Sequence, residues 1–249
     1  MTVDSSYLPD PLRVALASDP ARPRLTFYDD DTGERVELSA QSLAGWVIKT
    51  MNLLLDDVGV DEDSQVALHL PLHWLTAVWV MASEACGAAV TSSDGDAGTV
   101  DVTTALGTEH FAVSMRPMAL PLGDDTPAGC RDYTAEVRPM PDQLVLPPTG
   151  AGATDHASGA GAAAGMGLGR GERVMAVSET PVTSVTAVVH GLLAPLAVDG
   201  SAVWTRNPDP GRCVARSESE QVTAVVGPVP AELAALLPAG VRHLAPTTP

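Results

Sequence analysis

An α/β fold of two tandem modules, each a doubly wound, mainly parallel βαβ sheet, is what this sequence predicts, and three observations carry it. The stretch Gln65 to Ser93 reads as strand, tight turn, buried helix and second strand. Val66, Ala67, Leu68 and Leu70 form a short apolar run closed by Pro71, Leu72 to Cys86 is apolar on nearly every side, Gly87 supplies a helix stop, and Ala88 to Thr91 resumes as a strand. Strands joined by one helix in so few residues run parallel. The order then recurs: Val58-Gly59-Val60 precedes Val66 at the spacing by which Met166-Gly167-Leu168 precedes Val174, and Val174 to Val177, Thr183 to Leu196 and Gly200 to Thr205 repeat strand, apolar helix and strand. Finally, 249 residues suffice for one large domain or two small ones.

From the N-terminus, a short helix to Ala17 is expected, with Tyr7, Leu12 and Leu16 inward. Arg24 to Tyr28 and Glu34 to Leu38 flank Asp29-Asp30-Asp31-Thr32-Gly33 as a β-hairpin whose aspartates read as a solvated tip rather than a metal site. Ser39 can cap a helix with the inner stripe Leu43, Trp46, Val47, Met51 and Leu54, off which Lys49 falls as a surface residue. Thr99 to Thr103 with His110 to Ser114 resembles Gln221 to Val226 with Val241 to Leu244, extending the repeat. Pro117 to Pro148 is Pro-rich, with a helix expected at Tyr133 to Val137 and a strand at Gln143 to Leu146. A helix over Asp155 to Met166 would be frail unless packed, because each internal Gly costs about 0.5–1 kcal/mol against Ala. The expected domains are residues 1–140, with the N-terminal helix and hairpin, and 141–249, beginning with a Gly/Ala-rich segment over 149–171. That segment is expected to be the most mobile part, and the residues from Pro246 onward to fray.

Composition excludes several functions. A net charge of −17 argues against nucleic acid or an anionic membrane as partner, and no apolar stretch of about 20 residues offers a membrane span. The acidic N-terminus lacks the basic flank of a signal peptide, so the expected location is cytoplasmic, with Cys86, Cys130 and Cys213 as reduced thiols. Lys49 is the only lysine.

Ligands of parallel α/β sheets collect beyond the carboxyl ends of strands. That rule selects Pro71, His73, Ser92, Ser93 and Asp94 in the first module, and Ser178, Glu179, Thr180, Arg206 and Asn207 in the second, residues that equally serve as caps and turns. Ser178, Glu179 and Thr180 are the ligand-binding candidates. No catalytic or metal-binding residue is assigned. His156-Ala157-Ser158-Gly159-Ala160 lacks the glycine that precedes a nucleophile elbow, the glycines at 165, 167, 169 and 171 precede a strand instead of following one, and no Walker lysine follows a glycine loop. His69 and His73 flank Pro71 and share no helix face, and the other histidines read as isolated.

The run Leu25-Thr26-Phe27-Tyr28, the helix through Leu43, Val58-Gly59-Val60 leading into Val66-Ala67-Leu68, and Ala82 to Ala88 together resemble the start of the adenylate-forming superfamily of acyl-CoA synthetases, peptide-synthetase adenylation domains and firefly-type luciferases. The similarity runs best over residues 24–93 and more weakly over 142–226, and the short, Ala-rich, Lys-poor style resembles a small actinobacterial group of truncated relatives. It implies a fold like the N-terminal domain of those enzymes and chemistry that couples a carboxylate to ATP. The family's phosphate loop ends in Pro-Lys-Gly. Its counterpart here is Thr149-Gly150-Ala151-Gly152-Ala153-Thr154-Asp155-His156, where Thr149, Gly150, Gly152 and Thr154 are the surviving cofactor-binding candidates for ATP or AMP. The lysine is missing and Asp155 would repel a phosphate. The family's aromatic-Gly-x-Thr-Glu segment, ribose aspartate and C-terminal lid lysine have no counterpart either. The expectation is a non-catalytic relative that binds a small acyl or nucleotide ligand or a protein partner. One alternative is a carboxylate-activating ligase completed by a second polypeptide, and another is an α/β binding module of unrelated ancestry.

Overall fold

The computed structural model describes residues 6–92, 98–148, 157–178 and 185–244. In chain order these form α1 (Asp10–Ser18), β1 (Pro23–Asp29), β2 (Glu34–Ser39), α2 (Ala40–Asn52), which continues through a π-turn at Leu53–Val58, β3 (Gln65–His69), α3 (Trp74–Ala85), β4 (Ala89–Ser92), β5 (Thr99–Thr104), β6 (Gly107–Ala112), β7 (Arg131–Asp132) and α4 (Tyr133–Val137). There follow α5 (Ala157–Gly165), β8 (Arg173–Ser178), α6 (Val185–Val188) running through a π-turn at Val189–Leu193 into α7 (Ala194–Ala197), β9 (Ser201–Arg206), α8 (Pro210–Ser219), β10 (Ala224–Val226), α9 (Ala231–Leu236) and β11 (Arg242–Leu244). Two compact units result, one mainly of residues 41–155 and one of residues 10–40, 156–182 and 186–249. The α/β class stands, and the repeat is visible in the backbone. Gly59 and Gly167 both adopt left-handed φ, 78° and 64°, where a helix ends ahead of β3 or β8.

The second unit is a six-stranded sheet of order β11-β10-β8-β9-β1-β2, parallel except for the β1–β2 hairpin. The hairpin, expected with the first module, belongs here: β1 pairs with β9 from Leu25↔Ala202 to Asp29↔Arg206. The physical reason lies in β1 itself. Arg24, Leu25, Thr26 and Phe27 are all fully buried, as suits an interior strand covered on both faces. Buried Arg24 has its own partners, donating to the carbonyls of Asp199 and Gly200 and to the Asp199 carboxylate at 2.8 Å.

Alternate residues of the strands meet helices on both sides. On one face Met175, Val177, Val203 and Val225 pack with Cys213 of α8, Val222 and Leu233 of α9. On the other, Trp204 meets the crossover helix. Pro195 has no N–H to offer the carbonyl of Gly191 four residues back, and that oxygen accepts from Trp204 Nε1 at 2.9 Å. The Gly/Ala-rich α5 is not left bare. A Cβ on Gly159 would stand 2.8 Å from Pro11 of α1 and 3.1 Å from the Leu193 carbonyl, so small residues let α5 pack closely.

The first unit is a five-stranded sheet of order β4-β3-β5-β6-β7. β3 and β4 are parallel as expected, but β5 runs antiparallel to β3 and forms an antiparallel hairpin with β6. The expected likeness of β5 and β6 to β10 and β11 therefore fails, since β10 and β11 are parallel. One sheet face carries buried Val66, Leu68, Val100, Val102 and Phe111, against which Trp79 of α3 and Tyr133 of α4 pack, with Thr50 of α2 bonded to the Tyr133 hydroxyl. The other face presents exposed Gln65, Thr91, Thr103, Thr108 and His110.

Residues 143–146 form no strand. Asn52, buried at the end of α2, donates to the carbonyls of Pro141 and Gln143 and accepts from Val145 N, so that a side chain takes up the backbone groups that a strand would have paired. Among the described residues no helix is long and apolar enough to cross a membrane.

Candidate functional site

In the second unit β8, β9, β1 and β10 end on one edge, at Ser178, Arg206, Asp29 and Val226. The chain leaves β8 for its neighbour β9, then returns past β8 to β10 on the opposite side. The order reverses beside β8, and the crevice between the carboxyl ends of β8 and β10 is the topological switch point at which open α/β sheets bind ligands. Ser178 ends one wall. Gly227, at φ 102°, begins the other. The first unit has two parallel pairs, β3–β4 at one end of its sheet and the two-residue β6–β7 at the other, separated by antiparallel pairing through β5, and its topology forms no such crevice among the described residues.

Of the residues selected from sequence, Ser178 is brought to the switch point by its backbone. Glu179 and Thr180 follow it but lie outside the described residues, as do Thr149, Gly150, Gly152 and Thr154 and, in the first unit, Ser93 and Asp94. His73 is 1% exposed and caps α3, its Nδ1 accepting from Leu75 N at 3.2 Å, while the Pro71 carbonyl accepts from Thr76. Both act in local structure. Asn207, at a left-handed φ of 49°, donates to the Asp29 carboxylate at 3.1 Å.

Three expectations are corrected. Two of the three hairpin aspartates are not solvated: Asp29 is 5% exposed, and the Asp30 carboxylate accepts from Asp209 N at 3.0 Å and pairs with Arg216 at 2.6 Å, while Asp31 is exposed as expected. Neighbouring segments supply donors that local sequence does not show. Lys49 is not a surface residue free for other work, since its Nζ donates to the carbonyls of Arg138 and Met140 and lies 3.3 Å from Asp142. The histidines are not all isolated either. Strands β3, β5 and β6 bring His69 and His110 to the two oxygens of Asp101, at 3.4 and 2.8 Å.

The cations are engaged throughout. Arg22, Arg24 and Arg170 surround Asp199, and the Arg24 guanidinium beside it holds that carboxyl below its usual range. Arg35 and Arg173 meet Glu220, Arg212 and Arg216 meet Asp30, and Arg242 meets Glu172. In the first unit Arg131 joins Asp57, Glu109 and Glu136, Arg116 binds Asp125, and Arg138 donates to the carbonyls of Met118 and Ala119. Arg13 pairs with Asp10, and Arg206 too is engaged.

Two of the three thiols are unsuited to nucleophile chemistry. The thiols are free, and burial pushes Cys86 up to about 12 and Cys213 up to about 11, far from a reactive thiolate. Glu84, near the end of α3, is raised by burial to about 7. Among the described residues no group of three His, Cys, Asp or Glu side chains could hold a metal ion.

No protein-family model matches the sequence. Two solved structures share the fold. CmiS6 superposes with a TM-score of 0.55 at 18% identity over 95% of this chain, and an artificially fused adenylation-PCP di-domain NRPS from Klebsiella oxytoca, NpsA-ThdA, with a TM-score of 0.58 at 17% identity over 88%. The chain spans 62% of CmiS6 and 43% of NpsA-ThdA. The architecture is thus that of an adenylate-forming enzyme domain. A Mycobacterium tuberculosis protein described as a TIGR03089 family protein is 36% identical over 90% of this chain and 98% of its own length, and the chain belongs to the TIGR03089 family.

Proposed function

We propose that this protein keeps the adenylate-forming scaffold without the reaction and binds a small acyl or nucleotide ligand, or a protein partner, at the switch-point crevice of its second unit. Ser178, Glu179 and Thr180 are its binding residues there, and Thr149, Gly150, Gly152 and Thr154 are the remnant of a phosphate loop for ATP or AMP. One observation carries the reading. All 14 lysines and arginines lie at described positions and each is engaged with carboxylates, carbonyls or other groups of the fold, while residues 149–156 contain none. Acyl-adenylate formation builds charge on a departing pyrophosphate. Stabilising that charge is worth several kcal/mol per donor, and here each candidate cation would first have to abandon a partner.

The M. tuberculosis relative, matched along nearly its whole length, supports a family of similarly short proteins. The unbridged thiols fit a cytoplasmic setting. Isothermal titration of the purified chain with ATP, AMP, fatty acids and aromatic acids is expected to show binding of at least one, with no carboxylate-dependent pyrophosphate exchange. Exchange by the purified chain would overturn the non-catalytic reading, and no binding to any of the four would leave the protein partner alone.

A second reading draws on the coverage of the solved neighbours, which carry further length that this chain does not match. In it the chain is an ATP-dependent carboxylate-activating ligase completed by another polypeptide. Exchange that appears only on adding cell extract is the expected sign, and a blank result with extract removes the reading.

A further inference from the structure

We propose that the carboxyl edge of the second unit contains a small-anion site that the chain keeps closed with its own Asp30 carboxylate. Asp30 stands just beyond β1, outside the strand ladder. The Arg216 guanidinium, whose side chain is 8% exposed, reaches both of its oxygens, at 2.6 and 3.3 Å. The same guanidinium donates to Thr205 Oγ1 at 3.1 Å and lies 4.0 Å from the centre of the Tyr28 ring. The N–H of Asp209 points at one carboxylate oxygen from 3.0 Å, and Arg212, donating to the Asp30 carbonyl at 2.9 Å, stands 3.9 Å from the other.

A rigid guanidinium fork, a backbone amide and a second arginine are the groups that recognise a planar carboxylate or a phosphate oxyanion. Arg216 is fixed from behind by Thr205 and Tyr28, so the fork stays in place without Asp30. The Arg212 side chain is 60% exposed, so this side of the cluster borders solvent, while the Asp30 side chain is 5% exposed. Removing the Asp30 carboxylate strands a buried cation in a notch of carboxylate size, and an anion of the class of acetate or inorganic phosphate supplies both the charge and the acceptor oxygens. This site is separate from the β8–β10 crevice, and its test does not depend on what binds there.

The full chain carrying Asp30→Gly is expected to lose thermal stability in chloride buffer. It should regain at least half of that loss, saturably, as inorganic phosphate or acetate replaces chloride at constant ionic strength, while the native chain does not respond. Adding Arg216→Met to Asp30→Gly should abolish the gain. If Asp30→Gly does not fold, Asp30→Asn, which keeps the volume and removes the charge, is titrated with phosphate by calorimetry and should bind where the native chain does not. Absence of an anion-specific effect in the variant that folds, or an equal effect in the native chain or in the Arg216→Met background, overturns the proposal.

Discussion

The two units begin alike and part at their third strand. Each enters through a helix ended by a left-handed glycine, Gly59 or Gly167, runs through a strand and a buried helix, and returns in parallel. In the second unit residues 207–223 follow, long enough to hold α8 and carry the chain over the sheet to a parallel β10. In the first unit only residues 93–98 separate β4 from β5. A link that short cannot hold a crossover helix, and β5 runs antiparallel to β3. The length of one connection thus decides two things: whether the strand order reverses beside a parallel edge, and whether helices cover both faces. Among the described residues the switch-point crevice is found in the second unit, and an exposed polar face of Thr103, Thr108 and His110 in the first.

The largest effect that could break this comparison comes from the glycines just ahead of the returning strands. A Cβ on Gly200 would lie 2.1 Å from the Glu172 carbonyl oxygen and 2.8 Å from that of Pro195, both backbone atoms with no freedom to yield. In the first unit the matching place is held by Ala88, which already carries a Cβ, while Gly87 corresponds to left-handed Asp199 and, at φ 90°, has nothing nearer than Glu62 at 3.8 Å. Gly200→Ala is therefore expected to cost at least about 3 kcal/mol, enough to threaten a marginal domain. Gly87→Ala should cost about 1–2 kcal/mol of left-handed backbone strain. Denaturant titration of the two variants checks the order, and equal losses would mean that the second sheet is not packed more closely at this point.

A smaller effect separates the crossover helices. Three residues ahead of the left-handed residue that ends each, Gly87 or Asp199, the first carries Glu84 where the second has Leu196. Burial raises Glu84 to about 7 from an ordinary 4.5. The folded chain then holds a proton that the unfolded chain has released across that window. The contribution to stability is full below about pH 4.5 and is lost as pH rises through about 7, by up to about 3 kcal/mol. Glu84→Gln should show a stability gain over the native chain that is large at pH 8 and small at pH 5. A gain independent of pH would mean that the carboxyl is solvated.

Much of this division was legible in the residues. Pro71 and Gly87 bound the first crossover unit, the spacing of Gly59 and Gly167 exposes the repeat, and strand-end reasoning reaches Ser178. Each is a local signal. The misplaced parts depend on partners far off in sequence. The hairpin looks like any other until β9 is known to lie beside β1, and Asp29 and Asp30 read as solvated because Asn207, Arg216 and the amide of Asp209 reach them only in the fold. The direction of β5 is different: the shortness of residues 93–98 carries that information, and strand composition alone hides it.

Lys49 gives the smallest expected effect and the sharpest view of how the first unit holds its outgoing chain. With no strand at residues 143–146, that segment is fixed from α2, by Asn52 from within and by Lys49 at the carbonyls of Arg138 and Met140. The ammonium is partly exposed, so water can replace part of what is lost, and Lys49→Met keeps the apolar stem. A loss of about 1 kcal/mol is expected, with faster amide exchange confined to residues around 138–145. The second unit, where pairing in the sheet does the same holding, should be unchanged. If exchange instead quickens across β8 and β9, Lys49 supports more than this connection, and the two units are less independent in stability than their separate sheets imply.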